Sequence, residues 1–152
     1  MTTLFTIGYE RAGQAAFIEA LQAAGIELLV DVRELPSSRR AGFSKTPLAR
    51  ALSAVGIGYH HVRALGTPKE GRVANKQKQW ARFWSIVDAR LATPEAEAAL
   101  DAVAGLARRS RVALLCLEAD PAICHRSRVA ERVAARDGFT IEHLHVEPDF
   151  EL

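Results

Sequence analysis

The sequence predicts an α/β fold: one mainly parallel five-stranded sheet with helices on both faces. Apolar periodicity switches repeatedly between short strand-like runs and helical stripes, the pattern of successive βα units. Two runs, at residues 28–32 and 112–117, are almost continuously apolar, as expected of strands buried on both faces of a parallel sheet. Glycines and Thr-Pro pairs mark where the helical segments stop and start.

Residues 4–7 form the first strand, which ends at Gly8-Tyr9, and a helix follows with Phe17, Ile18 and Leu21 on one face. Gly25, which lacks a Cβ, suits the left-handed cap that ends this helix. The second strand covers 28–32 and leads into a loop at 33–44. Thr46-Pro47 then supplies a cap and a first-turn proline for a short helix of Leu48, Leu52 and Val55, stopped at Gly56. Residues 58–62 make a weaker third strand with Tyr59 and two histidines, and 63–75 read as a basic loop. A helix containing Trp80, Phe83, Trp84 and Val87 comes next, and Thr93-Pro94 opens another that reaches about Arg108. The fourth strand, 112–117, is followed by a helix ended by Gly138 and a last strand at 141–146. Right-handed crossovers make this arrangement Rossmann-like. By analogy the strand order is 3-2-1-4-5, with ligand expected between the strands that end at Tyr9 and Leu117.

A length of 152 residues suits a single domain spanning residues 1–152. The absence of a transmembrane-length apolar run and of a signal-peptide pattern points to a soluble, cytoplasmic chain with no membrane partner. With only two cysteines, a structural disulfide framework is not expected. Charge is unevenly spread: residues 33–82 carry eleven basic side chains against two acids, a local balance of +9, whereas the whole chain is +2. That asymmetry suits a phosphorylated small molecule or a nucleic acid, although a solvated basic surface has the same composition. Trp80, Phe83 and Trp84 beside Lys76, Lys78 and Arg82 combine rings with cations as single-strand binders do. Their helical spacing is that of a core stripe, and the periodicity favours the core.

The densest chemistry lies at Cys116-Leu117-Glu118-Ala119-Asp120-Pro121-Ala122-Ile123-Cys124-His125-Arg126, a strand-to-helix junction. With Asp120-Pro121 capping the helix, Cys124, His125 and Arg126 fall about one turn inside it, near unpaired N–H groups and the positive end of its dipole. Arg126 then suits an anion, and the same field makes Cys124 a candidate nucleophile with His125 or His143 as proton partner. The alternative is a buried cysteine that only packs and a surface arginine. Glu118 suits a general base or a loop-holding acceptor. Asp31 and Arg33 alternate onto one side of the second strand, where they orient a ligand or close the sheet end as a salt bridge. Arg39 extends the cationic rim, Gly8 admits close approach of a ligand to backbone, and Tyr9 offers a stacking face or a lid on the core.

Several sharper readings fail on spacing. A phosphatase-type loop needs arginine six positions after its cysteine, and Ala122 and Ala130 stand there. Two cysteines with seven residues between them and an adjacent histidine do not make a familiar zinc pattern, and His143 and His145 on the last strand are better read as structural, so no metal is expected. Neither a nucleoside-triphosphatase phosphate loop nor a dinucleotide glycine fingerprint is present, so no cofactor is implied.

These residues together resemble the bacterial and archaeal family called domain of unknown function 488. The resemblance rests on Thr6-Ile7-Gly8-Tyr9, Asp31-Val32-Arg33 with Pro36 and Ser38-Arg39, and Phe43. Tyr59-His60 leading to Leu65-Gly66, and Cys116-x-Glu118-x-x-Pro121-x-x-Cys124-His125-Arg126, complete it. Glu10 and Thr67 depart from it. The resemblance implies a compact α/β domain and groups Gly8, Tyr9, Asp31, Arg33, Arg39, Glu118, Cys124, His125 and Arg126 as candidates for one pocket, with no reaction attached.

The leading expectation is a pocket at the carboxyl ends of the strands for a phosphorylated or nucleic-acid-derived anion. In it Asp31, Glu118, Cys124 and His125 carry the chemistry, while Gly8, Tyr9, Arg33, Arg39 and Arg126 bind. Two alternatives stand beside it: a non-catalytic nucleic-acid-binding or regulatory module using the basic 33–82 surface, and a redox sensor using Cys116 and Cys124.

Overall fold

The computed structural model describes residues 2–148. Five strands form one all-parallel sheet: β1 (Thr3–Gly8), β2 (Leu28–Asp31), β3 (Gly58–His61), β4 (Val112–Cys116) and β5 (Thr140–Leu144). Six helices accompany them: α1 (Gln14–Ala23), α2 (Lys45–Ser53), α3 (Lys69–Lys76), α4 (Trp80–Leu91), α5 (Pro94–Arg109) and α6 (His125–Asp137). No helix among the described residues is long and apolar enough to cross a membrane.

The strand order is β3-β2-β4-β1-β5, which corrects the expected 3-2-1-4-5 by exchanging β1 and β4. Burial explains the exchange. All five positions of β4 are buried, so it takes the centre, between β2 and β1. The chain therefore leaves β2 and β4, now neighbours, toward opposite faces. Leu48 and Leu52 of α2 pack with Phe17, Leu21 of α1, Phe5 and Ile7 on one face. Val129, Ala130 and Val133 of α6 pack with α4, α5, Leu4 and Leu114 on the other. Diverging connections between adjacent parallel strands leave a crevice at their carboxyl ends. The expected switch point moves accordingly from β1/β4 to β2/β4.

Three local readings also change. The basic loop expected at 63–75 contains a 3-10 turn, Arg63–Leu65, and helix α3. Helix α2 starts at Lys45 with Ser44 in the cap position, which puts Pro47 inside its first turn. Asp120 caps a 3-10 turn at Pro121–Ile123, accepting the Ala122 N–H at 2.9 Å, and does not cap α6. Cys124 is extended (φ −115°, ψ 136°), so the turn breaks there and α6 begins afresh at His125. Cys124, His125 and Arg126 consequently occupy the cap and first two positions of α6. Other punctuation is as expected: Thr93 Oγ1 accepts the Ala96 N–H, and Gly25 and Gly138 both have the positive φ of left-handed caps. The aromatic stripe is core at Phe83 and Val87, while Trp84 is half-buried and Trp80 exposed.

Candidate functional site

A pocket of about 460 Å³ opens in the β2/β4 crevice. Its walls bring together the ends of β1 (Tyr9, Glu10), β2 (Arg33, Glu34) and β4 (Cys116, Leu117, Glu118), His125 of α6, and Thr67, Arg72 and Lys76 on and before α3.

The β2 side is a closed network. Asp31 is fully buried and Arg33 nearly so. Arg33 donates from Nε to Asp31 Oδ1 at 2.9 Å and from a terminal nitrogen to Oδ2 at 2.7 Å, and its backbone N–H also reaches Oδ1. The remaining terminal nitrogen donates to the Phe43 carbonyl at 2.7 Å and to the Tyr9 hydroxyl at 3.2 Å. Tyr59 donates its hydroxyl hydrogen to Asp31 Oδ2. Burial and the neighbouring Asp31 carboxylate push the Tyr59 phenol well above its ordinary range, so it stays a donor. Burial disfavours the Arg33 cation, but its bonds to Asp31 outweigh that and raise its pKa further. Tyr9 stacks on Phe43 with ring centroids 4.6 Å apart and planes at 11°. Of the two roles open to the Asp31/Arg33 pair, the geometry is that of the internal salt bridge. Breaking such a buried pair by removing one partner costs about 3–5 kcal/mol.

Arg126 is equally committed. It has no exposed surface and donates from Nε to Thr6 Oγ1 at 3.1 Å, with further donors on the Glu118 and Ala119 carbonyls. It therefore holds the β4–α6 loop against β1. Gly8 serves the same contact, because a Cβ there would lie 1.9 Å from the Glu118 carbonyl oxygen. The close backbone approach read from Gly8 is made by the chain's own loop. Arg39 is exposed and does not line the pocket.

At the β4 end the groups are less consumed. Cys116 and His125 line the pocket, and Cys124 is buried beside them. The His125 Nε2 atom lies 2.8 Å from the Val32 carbonyl oxygen, which only accepts, so Nε2 carries the hydrogen and donates it. Nδ1 then holds a lone pair 3.4 Å from Cys116 Sγ. The hydrogen bond with Cys124, then burial, push Cys116 well up; burial also opposes ionisation of Cys124, but the bond from Cys116 and the Arg126 charge hold it well down. Glu118, largely enclosed and next to the Cys124 sulfur, is pushed up to about 9, first by burial and then by that sulfur's charge. His143, considered as a proton partner for Cys124, bonds Thr6 Oγ1 at 2.6 Å and lines a separate hollow with Trp84 and Arg128.

The sequence reading missed the α3 contribution. Arg72 keeps one donor on the Thr67 carbonyl at 2.8 Å, and Lys76 is exposed on the rim, with no ion-pair partner among the described residues. The Thr67 hydroxyl is buried without a hydrogen-bond partner among the described residues. The signal for α3 was present in the spacing of Lys69, Arg72 and Lys76, which puts three cations along one helical side. Of the pocket's acids, Glu34 is paired with Arg90 at 2.9 Å and Arg63 at 3.3 Å, and Glu10 accepts the Ala119 N–H at 3.1 Å.

The family model described as domain of unknown function DUF488 matches residues 14–133, a span that includes the ends of β2 and β4 and the start of α6. No curated protein and no solved structure matches the chain.

Proposed function

The chain belongs to the family described as domain of unknown function DUF488, a description that attaches no reaction, and from the pocket itself we propose that it binds and acts on a small phosphorylated molecule in the β2/β4 crevice. The carrying observation is the convergence, around about 460 Å³, of unconsumed chemical groups on one side and available cations on the other. That volume suits a sugar phosphate or mononucleotide, within the range of small-molecule sites.

The ligand's anionic end is assigned to Arg72 and Lys76. Arg72 has guanidinium donors left after its bond to Thr67, and Lys76 is a point charge at the rim. Arg33 and Arg126, expected to hold the anion, are spent on internal acceptors and act as scaffold. The reacting end lies against Cys116, Glu118 and His125. Glu118 is the proton carrier by position, because Asp31 is sealed behind Arg33 and Tyr59 while His125 gives its Nε2 hydrogen to the Val32 carbonyl and turns Nδ1 toward Cys116, away from the open pocket. A polar ligand atom near Thr67 would also relieve its unpartnered hydroxyl, a burden of about 1–3 kcal/mol when left unmet. Tyr9 contributes a wall held by Phe43 and Arg33.

Equilibrium binding to inorganic phosphate, ribose 5-phosphate and the four ribonucleoside monophosphates tests this reading. At least one should bind, with affinity lowered by Glu118→Gln and by Arg72→Ala. Silence across the set, or binding indifferent to both substitutions, overturns it. A nucleic-acid reading draws on the same α3 cations, which lie within the basic 33–82 segment. It predicts instead polymer affinity falling steeply with salt and surviving Glu118→Gln.

A further inference from the structure

The two cysteines form a cluster with His125 that substrate binding alone does not use. Cys116 Sγ, Cys124 Sγ and a His125 ring nitrogen all lie within 4.8 Å of one another, and all three residues are buried. In a tetrahedral zinc site, bonds of about 2.3 Å to sulfur and 2.0–2.1 Å to nitrogen put neighbouring ligand atoms about 3.6–3.8 Å apart. The 3.4 Å between His125 Nδ1 and Cys116 Sγ is already close to that figure.

The surroundings fit a metal ligand set as well as the distances do. His125 donates its Nε2 hydrogen to the Val32 carbonyl at 2.8 Å, the outer hydrogen bond that fixes a metal-binding imidazole in one tautomer. Its lone pair on Nδ1 is thereby aimed at the thiols. Cys124 occupies the cap position of α6 and is fully buried, so its sulfur is held beside the other two ligand atoms. Two thiolates and a neutral imidazole cancel the charge of a divalent ion, which suits a buried position. Cys116 and His125 also line the pocket, so the cluster has an open side toward it.

We propose that Cys116, Cys124 and His125 bind a soft divalent cation of the zinc class through three protein ligands, with the fourth position facing the β2/β4 pocket. Three ligands and an open position are the pattern of metal sites that act on substrates rather than merely hold a fold. The three protein ligands stand independently of the proposed function; only the assignment of the fourth position to a phosphorylated ligand rests on it. Sequence spacing pointed away from metal because it looks for four ligands in linear order. Here the turn at 121–123 folds the end of β4 back beside the start of α6.

Titration of the reduced full chain with Co(II), followed by optical spectroscopy, tests the site. One equivalent should bind, with sulfur-to-cobalt charge-transfer bands and the intense visible bands of a tetrahedral site, and zinc should displace it. Cys116→Ala and Cys124→Ala should each weaken binding about 100-fold or more, whereas His143→Ala should leave it unchanged. In the unaltered chain, zinc should also protect both thiols from alkylation, which needs no variant to fold. Absence of tetrahedral bands overturns the proposal, as does cobalt binding unchanged in either cysteine variant. So does a Cys116–Cys124 disulfide that forms in air despite equimolar zinc. Adding inorganic phosphate should shift the visible bands; an unchanged spectrum overturns the open fourth position. Loss of the cobalt spectrum with ribonucleotide binding intact defeats the metal site alone, and the reverse defeats only the substrate reading.

Discussion

The ends of β2 and β4 lie side by side and carry equally reactive-looking residues, yet they are in opposite states. At the β2 end, Asp31, Arg33, Tyr9 and Tyr59 satisfy one another, and the Arg33 donors close on Asp31 and the Phe43 carbonyl. At the β4 end, Cys116, Cys124 and His125 gather within 4.8 Å, and Glu118 faces the pocket. A charged residue at a strand end is therefore structural or chemical according to what its neighbours leave unspent. Substitutions on the two sides should separate stability from function.

The largest loss is expected from Asp31→Ala, which leaves the Arg33 cation buried and unpaired; denaturant unfolding should register about 3–5 kcal/mol. Arg126→Met should cost about 3 kcal/mol by the same measurement, because it strands two loop carbonyls and takes one donor from Thr6, and it should not behave as a simple loss of an anion contact. Gly8→Ala should follow at about 1–3 kcal/mol, since its Cβ meets the Glu118 carbonyl and the loop must move. Across the crevice, Glu118→Gln should leave stability unchanged or raise it, because burial disfavours the carboxylate it removes, while weakening ribonucleotide binding about tenfold. The smallest effects should come from the rim: Lys76→Ala lowers that affinity about threefold without changing stability, and Arg39→Ala changes neither. Sensitivity to Arg39 would point to a polymer contact outside the pocket.

Much of this contrast was legible before the structure, and the part that was not has a physical cause. The continuous apolar run of β4 marked a strand buried on both faces, and βα alternation marked a parallel sheet. Its exchange with β1 was hidden because local sequence does not encode which buried strand takes the centre. Asp31, Arg33, Cys124 and Arg126 were visible as reactive residue types. Their commitment was invisible, because the partners come from distant segments, such as Phe43 for Arg33 and Thr6 for Arg126. The Cys116–Cys124–His125 cluster escaped for a related reason: an eight-residue separation reads as no familiar motif until a 3-10 turn folds it back.

The most direct test of the contrast is the pair of unfolding curves for Glu118→Gln with and without the ribonucleoside monophosphates. Bound ligand stabilises a fold by an amount that rises with the logarithm of its concentration over its dissociation constant, so at a concentration near that constant one measurement reads both quantities. The predicted result is an unliganded midpoint at or above that of the unaltered chain and a ligand-induced shift largely lost. An intact shift, or an unliganded midpoint that falls as far as that of Asp31→Ala, would contradict the assignment of the β4 end to chemistry and the β2 end to structure.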